Sequence, residues 1–145
     1  MQLQLFSEQE YIAKPQNQYE AIVYFIARLD IEMVSSFLDE ERTYQDFPKY
    51  LFVSKLIGAF EQFDKAGDKS LALHKGSCSG CSKGCRGLTF LGEQGHYMDL
   101  LFQQDSNKIV DIYECVNFIN DVPIPEKVNR VEIDRSFFLT DNSPF

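Results

Sequence analysis

Three of the chain's four cysteines fall between residues 78 and 85, in the stretch HKGSCSGCSKGCRG that spans residues 74 to 87. Cys78, Cys81 and Cys85 follow a C-x2-C-x3-C spacing, and His74 precedes the first of them by four positions. A C-x2-C turn lets two thiolates approach one cation, and Gly76, Gly80 and Gly84 give the backbone the freedom such a knuckle needs. Three thiolates and one imidazole complete a tetrahedral zinc site, so the spacing predicts a structural zinc bound by Cys78, Cys81, Cys85 and His74 that ties two strand ends together. Two other chemistries stay open at this point: free reduced thiols in a hairpin loop, and thiol–disulfide exchange between Cys78 and Cys81. An iron–sulfur cluster wants a fourth nearby cysteine. The register expected for the following strands sets Cys115 opposite Met98, roughly 13 Å from the base of the loop at about 3.3 Å per residue, which leaves His74 as the fourth ligand.

Carboxylates offer a second kind of chemistry. A hairpin turning at Ser106-Asn107 makes Asp99 and Glu114 cross-strand neighbours, with Leu101, Ile112 and Val116 on the same face. Two carboxylates so placed on an apolar surface cannot both ionise cheaply, and one becomes available as an acid or base. The alternative is a solvated outer face of the sheet. The opposite face would carry His96, Met98, Leu100, Phe102, Asp111, Tyr113, Cys115 and Asn117, a mixture of apolar bodies and polar tips that suits a pocket lining. Tyr24, Met98, Leu100 and Tyr113 are the expected ligand contacts. His96, Tyr113, Asp99 and Glu114 are the expected catalytic candidates, with Asp30 or Tyr24 contributed from the helices. The stretch GEQG after a strand is a turn, because no Lys-Ser or Lys-Thr follows it at phosphate-loop spacing.

These groups need elements to hold them. Ile22, Ile26, Leu29, Met33 and Phe37 recur at steps of three and four, an amphipathic helical stripe that Asp30 can interrupt and cap. Asp46-Phe47-Pro48 predicts another helix start, Phe52, Leu56, Ala59, Phe60 and Phe63 its buried face, and Gly67 its stop. After Ser70 the period becomes strand-like through SLALHK, GLTFLGE, HYMDLLFQQ and KIVDIYECVNF, with turns at Glu93-Gln94-Gly95 and Asp105-Ser106-Asn107. Helices followed by a meander predict an α+β fold, with N-terminal helices packed on a curved antiparallel sheet of about four strands and the cysteine loop between two of them. The organisation expected is one domain over 1–145: an extension at 1–17, the helices and sheet at 18–118, and an extended tail at 119–145 with one edge strand near Val131 to Ile133.

That order, with a helix pair around ARLDIEMVSSFLDE, a short RTYQD segment, a further helix and long hairpins, resembles the nuclear transport factor 2-like, or cystatin-like cone, superfamily over roughly residues 18 to 118. The resemblance implies a curved sheet wrapped about a helix to enclose a deep, mostly apolar pocket. The superfamily holds both isomerases or dehydratases and non-enzymatic members. No catalytic motif of a named member matches here, and the cysteine-rich insertion is not a general feature of the superfamily.

Composition limits the partners. A net charge of −8 repels phosphate backbones, and Lys75, Lys83 and Arg86 make only a weak basic patch, so nucleic acid is not expected. Glu8 and Glu10 interrupt what would be the apolar core of a secretory signal, and no run approaches a membrane span. The expected location is cytoplasmic. The sequence therefore predicts a small domain with a zinc knuckle that binds an apolar ligand or a protein partner and forms a homodimer. Two alternatives are a pocket acid/base lyase or isomerase, and a thiol redox or metal-handling protein.

Overall fold

Asn17 opens the first helix, its side chain accepting the Glu20 N–H at 2.9 Å, which satisfies one of the donors that a helix start leaves without a partner. The computed structural model describes residues 15–79 and 86–136. Helix α1 runs Gln18–Ala27 and α2 runs Ile31–Phe37. Leu29 between them has φ 57°, and Asp30 caps α2 by accepting the Met33 N–H at 3.2 Å. The interruption turns the helical stripe. Ile22 and Ile26 are buried on α1 and Val34 on α2, while Met33 and Phe37 at the end of the expected stripe stay exposed.

Asp46 does not cap the next helix. Gln45 and Asp46, with φ 55° and 68°, form the two-residue turn between β1 (Thr43–Tyr44) and β2 (Phe47–Pro48), a left-handed pair whose twist suits a tight hairpin. Helix α3, Lys49–Lys65, then starts from Pro48 without a side-chain cap. Its face of Phe52, Leu56, Ala59, Phe60 and Phe63 is buried as expected, each large side chain contributing roughly 1.5–3 kcal/mol on burial. Gly67, at φ 92°, ends the turn that follows.

The main sheet has six strands among the described residues, more than the four expected: β3 (Ala72–Cys78), β4 (Arg86–Leu91), β5 (His96–Asp105), β6 (Lys108–Glu114), β7 (Phe118–Asn120) and β8 (Asn129–Arg130). Its order is β6-β5-β4-β3-β7, and β8 adds a parallel pairing to the start of β5. The expected single last strand is thus two strands at opposite ends of this order. Only residues 115 to 117 lie between them. Four Cα steps reach at most about 15 Å, whereas four strand spacings in a flat sheet need about 19 Å. The sheet must therefore curl.

A bulge between Gln103 and Gln104 shifts the β5–β6 ladder, so that Glu114 pairs with Leu100, and Tyr113 with Leu101. Asp99 and Glu114 are consequently not cross-strand partners, and Tyr113 does not share a face with Met98 and Leu100. One extra residue reverses which side each β6 side chain serves. The inner face carries Leu88, Phe90, Met98, Leu100, Phe102 and Ile112, all buried in one core with the helices. Tyr19 meets the Phe102 ring edge-on, 5.4 Å between centroids. No helix among the described residues is long and apolar enough to cross a membrane.

Candidate functional site

Strand β3 does not stop at the cysteine stretch; it runs through Lys75, Gly76 and Ser77 to Cys78. Four steps along an extended strand separate His74 from Cys78, roughly 13 Å, too far for both to bind one cation. The Cys78 sulfur is instead bonded to that of Cys115, with the two Cα atoms 6.2 Å apart. Cys81 and Cys85 lie outside the described residues. Among the described residues no group of three or more His, Cys, Asp or Glu side chains is placed to hold a metal ion. The expected structural zinc is therefore corrected to a disulfide. The rejection of Cys115 fails for a definable reason: β6 ends at Glu114, and the curl carries the next residues across to the end of β3.

Cross-strand pairing puts His74, Gly76 and Cys78 of β3 on the outer face with Thr89 and Gly87 of β4, Asp99 and Leu101 of β5, Tyr113 of β6, and Phe118 and Asn120 of β7. This face is not solvated where Asp99 stands. Asp99 is 3% exposed and Thr89 fully buried, because residues 121–130 cross over them. Lys127 Nζ donates to Asp99 Oδ1 at 3.1 Å, to Asp99 Oδ2 at 3.2 Å and to Asn120 Oδ1 at 2.8 Å. Thr89 Oγ1 donates to Asp99 Oδ1, and Asn120 Nδ2 donates to Thr89 Oγ1 at 2.9 Å. The ammonium lies over the Tyr97 ring at 4.6 Å and near the Phe118 ring at 5.5 Å. Arg130 stands 4.0 Å from the same carboxylate and donates to the Cys115 carbonyl at 3.0 Å. The cluster thus reaches from the buried acid to the cystine.

Phe118 itself is seated by glycine. A Cβ on Gly76 would fall 2.5 Å from the Phe118 ring and one on Gly87 would fall 2.6 Å from it, so these two paired positions form a slot that only glycine leaves open.

Glu114 serves a different purpose from acid/base work. Its carboxylate accepts from the Gln45 side chain at 3.0 Å and from the backbone N–H groups of Ile133 and Asp134 at 2.5 and 3.2 Å, which pins the β1–β2 turn and the C-terminal segment to β6. Burial raises the Asp111 carboxyl above its usual range, partly offset by the Gln45 and Ile112 N–H groups it accepts. Burial also holds the His74 imidazole below its usual value, with Glu126 opposing that shift and Lys127 reinforcing it. His96 starts β5 opposite Asn129 of β8, with a buried Nδ1 that meets no partner among the described residues.

Of the residues expected to do chemistry, the outer face collects His74, Cys78, Asp99 and Tyr113. Met98 and Leu100 belong to the filled inner core, and Tyr24 lies on α1 beneath the Arg28 guanidinium at 5.3 Å. A groove of about 400 Å³ between α1 and α2, lined by Phe25, Met33 and Phe37 among others, includes none of the four expected ligand contacts. Sequence reasoning missed Lys127, Arg130, Asn120 and Thr89. The signal was present in EKVNR, two cations three residues apart in the tail, which only acquire meaning once Asp99 is seen to be buried. Compared with known proteins, the chain matches no protein-family model, no curated protein and no solved structure.

Proposed function

We propose that the protein is a thiol-redox domain whose working element is the Cys78–Cys115 pair, made and broken in response to cellular thiols. The observation that carries this reading is the bond itself, which joins the end of β3 to the crossover between β6 and β7. Both cysteines are only partly buried, so an external thiolate can reach a sulfur. In the cytoplasm that the sequence predicts, such a bond is a transient state rather than a permanent staple, as a thiol-responsive domain requires. A dithiol reductant supplies the chemistry: its thiolate attacks one cystine sulfur, the S–S bond breaks, and the other cysteine leaves as a thiolate. The second reductant thiol then releases the mixed disulfide, so two electrons pass to Cys78 and Cys115 and the reductant becomes the disulfide. What changes in the domain is the tether that closes the curl of the sheet.

The acid/base enzyme reading draws no support from the carboxylates, since Asp99 is occupied by Lys127 and Glu114 by backbone donors. The cone-like superfamily remains a proposal for the fold, supported by the element order and the curl. Its apolar pocket would fall where Met98, Leu100 and Phe102 are packed.

The test is a redox titration in thiol buffers, with the thiol state read by alkylation and mass, and the fold by circular dichroism. Reversible reduction of Cys78 and Cys115 in a chain that stays folded supports the proposal. A native chain whose two thiols never pair, or a domain that unfolds as the bond is reduced, overturns it.

A further inference from the structure

Strand β7 is at the end of the sheet order, with β3 on one side and no strand on the other among the described residues. While Phe118 packs into the glycine slot, Ile119 is 60% exposed, and Val116 and Val122 in the turn and bend on either side are 79% and 70% exposed. Such an edge is a template for another strand. Ser79 N–H donates to the Asn117 carbonyl and Asp121 N–H to the Lys75 carbonyl, so Asn117, Ile119 and Asp121 are the residues that bond to β3. By the alternation of an antiparallel ladder, Phe118 and Asn120 direct their N–H and C=O groups away from β3, to the free edge.

We propose that this edge pairs with the same edge of a second copy, antiparallel and centred on Ile119. The segment Val-Asn-Phe-Ile-Asn-Asp-Val, residues 116 to 122, carries a valine at each end and isoleucine at its centre, with Asn117 and Asp121 as near-equivalents and Phe118 and Asn120 unlike. A two-fold axis at Ile119 sets Ile119 against itself and Phe118 against the partner's Asn120, and if the pairing extends the strand past its three residues it brings Val116 to Val122 and Asn117 to Asp121, so that the exposed Ile119, Val116 and Val122 meet apolar side chains and no like charges face one another. The same axis matches the outward groups of Phe118 to those of Asn120 in the other copy, which is the only register in which both sets of free donors and acceptors are used around that centre. A self-complementary edge of this kind closes on a dimer and does not propagate, because the pairing consumes both edges.

Sedimentation of the oxidised chain, with free thiols blocked, from micromolar to millimolar concentration tests this together with amide exchange. The expected result is a concentration-dependent dimer in which the Phe118 and Asn120 amides exchange more slowly as dimer forms. Ile119→Glu places two carboxylates face to face and weakens the dimer by about 10-fold or more, with an unchanged circular dichroism spectrum that shows the exposed substitution leaves the fold intact. A wild-type chain that stays monomeric overturns the proposal, even if it takes up an extended apolar peptide along β7. So does a dimer that Ile119→Glu leaves equally tight, or one in which the two amides exchange at a rate independent of concentration.

Discussion

Lys127 Nζ stands 3.1 Å from Asp99 Oδ1, on a carboxylate that is 3% exposed. The two residues come from β5 and from the segment after β7, so their pairing fastens the C-terminal segment across the outer face. A buried ion pair gains little over apolar residues of the same shape, but removing one partner leaves the other charge buried alone. Lys127→Met is therefore expected to cost about 3 kcal/mol in chemical denaturation, and Asp99→Asn to cost a similar amount. The double variant should lose clearly less than the sum. Additive losses would show that the two groups do not act as a pair.

The glycine slot beneath Phe118 gives a steric prediction. Gly87→Ala puts a methyl 2.6 Å from both the Gly76 carbonyl oxygen and the Phe118 ring, and overpacking of this degree costs about 2 kcal/mol. Thermal unfolding should show the loss, and shortening the ring with Phe118→Ala should recover part of it in the Gly87→Ala background. No coupling between the two substitutions would mean that the ring does not fill the slot.

His74 makes stability depend on pH. Its imidazole is held below the ordinary value of 6.5, by burial first and by Lys127 in addition, so near pH 6 the unfolded chain binds more protons than the folded one. Stability then rises with pH in that range and is lost as pH falls below 6.5 towards the lowered folded value. Denaturation midpoints followed from neutral to mildly acidic pH should show this slope in the native chain and a shallower one in His74→Gln. Equal slopes would remove His74 as the cause.

Glu114 is expected to matter for stability and not for any turnover. Its carboxylate binds two backbone N–H groups and the Gln45 side chain, and hydrogen bonds to a charged group contribute about 1.5–3 kcal/mol. Glu114→Ala should lower stability by about that much and speed amide exchange at Ile133 and Asp134. Unchanged exchange at those two positions would contradict the clamp.

Helices and the α+β class were legible because periodicity reports burial directly. The buried face of α3 and the cap at Asp30 follow from side-chain spacing and local hydrogen bonding, both of which are near-range properties. The site was harder to read because it depends on register. A single bulge at Gln103/Gln104 moved Glu114 from Asp99 to Leu100, and nothing in the residue types announces it. The break after Glu114 was hidden as well, since KIVDIYECVNF has uniform strand character although Cys115 to Asn117 leave the ladder. Pairing of Cys78 with Cys115 depends on that break and on the curl, two long-range features, so local cysteine spacing pointed to metal instead. Asp99 illustrates the same limit: its burial comes from residues 121–130, whose path over the sheet no local pattern encodes.

The Cys78–Cys115 bond is the claim on which the functional reading depends, and peptide mapping tests it most directly. Native protein is alkylated, digested without reductant and analysed by mass, before and after exposure to a mild dithiol followed by its removal. The account predicts a cross-linked pair of peptides containing Cys78 and Cys115, lost on reduction and restored on reoxidation while the chain remains folded. Recovery of Cys115 as a free alkylated thiol even after reoxidation, or joined to Cys81 or Cys85 in place of Cys78, would contradict it.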